Sequence, residues 1–130
     1  MTETRMQEVR EFGQSIWLDF IRRSFMDDGG LDEYINQGLC GVTSNPSIFD
    51  KAISEGAEYD QDIADLASQG KTTQEIYETL VVQDIQQACD ILKSVYEQTN
   101  GKDGYVSLEV SPHLAHDTKG TIQEVKKYWD

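Results

Sequence analysis

Residues 72–99, TTQEIYETLVVQDIQQACDILKSVYEQT, are the longest stretch of one periodicity in the chain. Thr72 opens it, with Glu75 three residues on, the spacing of a capping box. Ile76, Leu80, Val81, Ile85, Ala88, Leu92 and Val95 then recur at helical spacing, which predicts a helix of about seven turns. Strand-like runs lie on both sides of it. A helix this long between two strands excludes hairpin pairing, so the strands must run the same way while the helix carries the chain back.

The strand-like runs are SIWLDF (15–20), LCGVTSNP (39–46) and GYVSLEVS (104–111). Between the first two, residues 21–37 read as helical pieces broken at Gly29 and Gly30 and closed by Gly38. Pro46 cannot extend a ladder but suits the first turn of the short helix that follows, which Gly56 ends. EYDQDIADLASQG (58–70) reads as another helix, with Ile63, Leu66 and Ala67 on one side. NGKDG (100–104) is a turn, and TKGTIQEVKKYWD (118–130) is a last helix with Ile122, Val125 and Trp129 on one face. Residues 1–12 form a short N-terminal helix or a tail. Strands alternating with helices give an α/β fold with a parallel sheet, normally covered on both faces.

Each strand has two unlike sides at period two. Ile16, Leu18 and Phe20 oppose Ser15, Trp17 and Asp19. Val42 and Ser44 oppose Gly41, Thr43 and Asn45. Val106, Leu108 and Val110 oppose Ser107, Glu109 and Ser111. The first set of each pair suits packing helices, and the second is polar. Asp19, Asn45 and Glu109 all fall toward the C-terminal ends of their strands. Each has a plain structural explanation: Asp19 as a cap on the next helix, Asn45 as a brace before Pro46, Glu109 as half of an ion pair. Together they fit better a covered polar interior, as at the C-terminal mouth of a parallel barrel, where buried charges need partners or a task.

Net charge is −13 over 130 residues, with 38% hydrophobic residues. Clustered phosphate-binding cations are lacking, so neither nucleic acid nor an anionic membrane is expected as a partner. No run approaches the roughly 18 apolar residues of a membrane span, and the charged N-terminus has no apolar segment of a secretory signal. Cys40 and Cys89 are then expected as reduced thiols in a cytoplasmic protein, with Cys89 in the core of the long helix. His113 and His116 form an HxxH beside Asp117 but lack further ligands, so no metal is expected, and no cofactor. The aromatic residues of IWLDF and KKYWD read as packing anchors.

GVTSNPSIF (41–49) and VSLEVSPHLAHDT (106–118), with WLD (17–19) upstream, resemble the N-terminal part of bacterial transaldolases. The resemblance runs from about Gly13 to the end of the chain. It implies a (β/α)8 TIM barrel of the class I aldolase type, of which residues 1–130 supply about three βα units and extra helices. It also implies a pentose phosphate pathway transferase. Such an enzyme moves a dihydroxyacetone unit from sedoheptulose 7-phosphate to glyceraldehyde 3-phosphate through a lysine Schiff base. In that family Asp19 matches the aspartate that exchanges the proton of the hydroxyl beside the broken carbon–carbon bond. Glu109 matches the glutamate that acts through a water in imine formation and hydrolysis. Thr43 and Asn45 match residues that bind substrate, Asn45 at a donor hydroxyl. Two carboxylates in different surroundings can divide acid and base roles.

The chain departs from that pattern in lacking the family's lysine strand. Lys51, Lys71, Lys93, Lys102, Lys119, Lys126 and Lys127 all fall in turns or helices, away from the apolar strand setting that makes an amine nucleophilic. A barrel takes about 250 residues. The expectation is a fragment, inactive alone, whose exposed barrel edges rearrange or self-associate into a homo-oligomer. The alternatives are a fructose 6-phosphate aldolase-like enzyme, a subgroup that tends to lack the glutamate, and a non-catalytic acidic interaction or regulatory fragment.

Overall fold

The computed structural model describes residues 3–129. Along the chain run α1 (Arg5–Arg10), β1 (Trp17–Leu18), α2 (Arg23–Asp27), α3 (Gly30–Gln37), β2 (Gly41–Val42), α4 (Pro46–Glu55), α5 (Asp60–Ser68), α6 (Thr73–Gln98), β3 (Tyr105–Val106) and α7 (Thr118–Trp129). Short 3-10 turns at Ala57–Tyr59 and Pro112–Leu114 precede α5 and α7. The three strands form one sheet in the order β1-β2-β3, both pairs parallel. Register aligns Trp17 with Gly41 and Tyr105, and Leu18 with Val42 and Val106.

Local chemistry sets these elements. The Thr72–Glu75 capping box starts α6, Asn45 caps α4 with Pro46 in its first turn, and Thr4–Gln7 forms a second capping box on α1. Gly38 ends α3 at φ 115°, where a side chain would be strained. Its carbonyl accepts Arg10 Nη2 at 3.0 Å, and Arg10 Nε lies 3.2 Å from the buried Cys40 Sγ, so α1 is pinned to the entry of β2.

The core lies between the sheet and the helices. Ile21, Met26, Leu31, Leu39, Val42 and Phe49 pack with Val81, Ala88, Leu92 and Val95 of α6. A smaller cluster joins Ala52, Tyr59 and Leu80. Leu18, Val106 and Leu108 close the core from the sheet side, as their period-two placement requires.

Four expectations need correction. The strands are far shorter than the runs 15–20, 39–46 and 104–111. A few more ladder bonds flank them, such as Cys40 N–H to Ile16 O (2.8 Å), Thr43 N–H to Leu18 O (2.8 Å) and Ser107 N–H to Val42 O (3.0 Å). Beyond these, Phe20 turns to meet Phe25 edge-on at 5.3 Å, and β2 becomes α4, so residues after Ser107 have no strand to pair with. The polar side of the sheet is open: Trp17 and Tyr105 are each 37% exposed, and Asp19 and Glu109 are exposed. Three strands cannot curl around that face to cover it. Cys89 is exposed and Cys40 is the buried cysteine, with no disulfide between them. Cys89 borders an apolar groove of about 450 Å³ along the outer flank of β3, with Ile85, Tyr105, Val125 and Trp129. Trp129 is therefore no packing anchor.

Candidate active site

The open face of the sheet carries the expected site residues. Nearest the N-terminal ends of the strands, Trp17 lies over Gly41; a Cβ there would sit 2.5 Å from the indole. Tyr105 stands on the other side of Gly41 by register. The next row up, by the same register, is Asp19, Thr43 and Ser107, with Asn45 and Glu109 beyond it. The face thus has an aromatic floor and a polar upper rim.

Asp19 and Thr43 are in contact: Thr43 Oγ1 donates to Asp19 Oδ1 at 2.7 Å. Asp19 is no helix cap, because Arg22 occupies the N-cap of α2 without a side-chain cap bond. It borders a depression with Phe20, Arg22, Ile48, Lys51 and Glu55. Asn45 does have the plain structural role, its Oδ1 accepting Ile48 N–H at 2.9 Å. That leaves Nδ2 as a donor with no partner among the described residues.

Glu109 lies apart from this pair. It lines a groove of about 200 Å³ with Pro46, Tyr77, Glu78, His113 and Glu124, and among the described residues it makes no ion pair. Burial raises the Tyr77 phenol above its ordinary value, with help from the charges of Asp50 and Glu109. Ser44 is buried, and its Oγ donates to Ser107 O, which ties β2 to the start of the Glu109 loop.

Every lysine sits on a helix or in a turn: Lys51 on α4, Lys93 on α6, Lys119, Lys126 and Lys127 on α7, and Lys71 and Lys102 between elements. None lies on a strand of the open face.

Sequence reasoning missed a buried polar knot. Asp84 on α6 is 1% exposed. It accepts Arg23 Nε at 2.9 Å and Tyr59 OH at 2.6 Å. Arg23 also reaches Asp62 at 2.7 Å, and its guanidinium lies 4.6 Å from the Tyr59 ring centroid. Burial raises the Asp84 carboxyl above the usual range, opposed by the Tyr59 and Arg23 hydrogen bonds. Beside it, Arg22 and Ser24 bond Glu58 and hold its carboxyl down at about 2. The signal was Asp84 itself, an acid within the apolar stripe of α6 between Val81 and Ala88. The knot lies among the helices and braces them.

A model of the family described as transaldolase/fructose-6-phosphate aldolase matches residues 16–130. Transaldolase 2 of Nostoc punctiforme is 48% identical over 99% of this chain and 34% of its own length. Transaldolases of Neisseria meningitidis serogroup C and Thiobacillus denitrificans are each 45% identical, over 97% and 95% of this chain. The chain spans about a third of the length of these curated relatives.

Proposed function

The chain belongs to the transaldolase/fructose-6-phosphate aldolase family, and on that premise we propose that it contributes the first βα units of a transaldolase barrel. The fold supports this reading: three parallel strands in chain order, helices on one side, and polar residues at the C-terminal ends on the other. In such barrels the chemistry sits at those ends. Later strands then close the open face into the barrel interior, and the Schiff-base lysine comes from sequence outside these residues. We assign Asp19 and Glu109 as catalytic groups and Thr43 and Asn45 as substrate contacts.

The reaction is transfer of a dihydroxyacetone unit between sugar phosphates. The lysine amine condenses with the ketose carbonyl, water leaves, and the imine draws electrons from the neighbouring carbon–carbon bond. Asp19 takes the proton of the hydroxyl beside that bond as it breaks, releasing an aldose. It returns a proton when the held three-carbon unit attacks the acceptor aldehyde. Thr43 supports it by donating to one carboxylate oxygen, which leaves the other free for substrate. Asn45 uses Oδ1 for the helix and offers Nδ2 to a substrate hydroxyl. Glu109 relays protons through a water as the imine forms and hydrolyses. We place the enzyme in the cytoplasm. The 130-residue chain alone is inactive and self-associates through the β3 flank.

The observation that carries this is the Asp19–Thr43 hydrogen bond of 2.7 Å on the helix-free face. Borohydride reduction in the presence of a ketose phosphate tests it. The full-length protein should be labelled at one lysine, and residues 1–130 alone should not be. Asp19→Asn in the full-length protein should keep the labelling yet slow turnover by about 10²–10⁴-fold. A full-length protein that traps no sugar, or an Asp19→Asn variant with normal turnover, overturns the reading.

A further inference from the structure

The segment that carries Glu109 is tied at both ends. At one end, Ser107 meets Ser44: Ser44 Oγ donates to Ser107 O, and Ser44 N–H to Ser107 Oγ at 3.4 Å. At the other end, Ser111 N–H donates to Glu124 Oε2 at 2.9 Å. Tyr128 OH donates to Glu124 Oε1 at 3.2 Å, from one turn further along α7. Glu109 stands midway, two residues from each tie. A carboxylate accepting a backbone N–H makes a strong, directional bond, and the phenol fixes which way that carboxylate faces. Glu124 shares the groove with Glu109. Glu124 is only partly exposed, and together with Thr121 Oγ1, which donates to Leu114 O at 3.2 Å, this contact joins α7 to the loop.

We propose that Glu124 is a positioning residue for Glu109: its carboxylate, steadied by Tyr128, holds the Ser111 end of the loop so that Glu109 is presented at the rim of the open face. This rests on the role given to Glu109 under the proposed function. Among the described residues Glu124 bonds Ser111 N–H and Tyr128 OH and makes no hydrogen bond to Asp19, Thr43, Asn45 or Glu109, so it acts through the backbone of Ser111. A displacement of about 1 Å in a catalytic group can cost on the order of 100-fold in rate, which is the size of effect such a tie protects against.

The test uses the full-length protein with Glu124→Ala, Glu124→Gln, Glu109→Gln and the double variant Glu109→Gln/Glu124→Ala. Glu124→Ala should lower kcat by roughly 10–100-fold with little change in KM. Glu124→Gln keeps an acceptor for Ser111 N–H and should recover most of that loss. In the Glu109→Gln background, Glu124→Ala should add almost nothing, because its effect passes through Glu109. Amide exchange at Ser111 should quicken in Glu124→Ala and stay slow in Glu124→Gln. Normal kcat in Glu124→Ala beside a crippled Glu109→Gln overturns the inference and leaves the proposed function standing. So does an equal fold-loss in both backgrounds, the mark of a merely structural role. Normal kcat in Glu109→Gln overturns the role assigned to Glu109, and the inference falls with it.

Discussion

Helices α6 and α7 carry the same kind of apolar stripe and meet opposite fates. In α6, Leu80 is 1% exposed and Ala88 and Leu92 are fully buried; in α7, Ile122 is 51%, Val125 49% and Trp129 81% exposed. The difference lies in what surrounds them. Helix α6 is packed by α2, α3, α5 and β3, whereas α7 mainly meets the short turn before it. An amphipathic pattern states that a helix needs an apolar neighbour, and it stabilises only when that neighbour arrives. The groove between α7 and the flank of β3 is where that neighbour is missing among the described residues.

The sharpest way to break this comparison is a matched pair of truncations. Leu92→Ala empties a fully buried site and should cost about 3 kcal/mol in urea unfolding. In the dilute monomer, Ile122→Ala removes a half-exposed side chain and should stay within about 0.5 kcal/mol. A loss at Ile122 as large as at Leu92 would mean that the α7 face is covered in solution, which makes the second variant a direct probe of self-association.

A smaller contrast sets the buried knot against the exposed ion pair that joins α7 to α6. Asp84→Ala leaves the Tyr59 hydroxyl without its acceptor and Arg23 with only Asp62 and Gln83, a loss of about 2 kcal/mol. Lys127 and Glu78 lie 2.9 Å apart but are 60% and 26% exposed. Lys127→Met should therefore change stability by less than about 1 kcal/mol. Equal losses from the two variants, measured by thermal unfolding at one salt concentration, would erase the distinction between inside and rim.

Much of this was legible in the sequence wherever a single local rule decides the outcome. Thr72 and Glu75 started α6, Pro46 started α4, Gly38 ended α3, and separation by helices made the strands parallel. Period two correctly put Val42 and Ser44 on the helix side and Asp19 and Thr43 together on the other, although that other side, expected to be covered, is open. Strand length was not legible, because it depends on whether a neighbour still runs alongside; β2 turns into α4 before Glu109 is reached. Exposure of Cys89 and Trp129 was not legible either, since coverage is a property of the whole assembly. Nor was the partnership of Asp84, Arg23 and Tyr59. Their spacing along the chain holds no trace of their contact, and only the interruption of the α6 stripe hinted at it. Asn45 was legible as the brace before Pro46, its Oδ1 accepting Ile48 N–H at 2.9 Å; the side-chain donor this leaves over is what the proposed role uses.

The smallest expected effect appears as a slope in pH. Glu58 is held near 2, against an ordinary value of 4.5, first by the Arg22 hydrogen bond. A carboxylate depressed in the folded state binds fewer protons there than in the unfolded chain. Its contribution is thus fully present above about pH 4.5 and is lost as pH falls from there toward 2. Glu78 is lowered in the same direction, first by Lys127, but that pair is the more exposed, so solvent and salt screen it further. Asp84 shifts the opposite way, and its share of stability declines as pH rises through its raised value. Glu58→Gln should therefore flatten the acid limb of a stability–pH curve between about 4.5 and 2, with Glu78→Gln flattening it less. Added salt should close the Glu78 part of the difference first. An acid limb unchanged by Glu58→Gln would show that the Arg22–Glu58 contact of 2.7 Å is not maintained in solution.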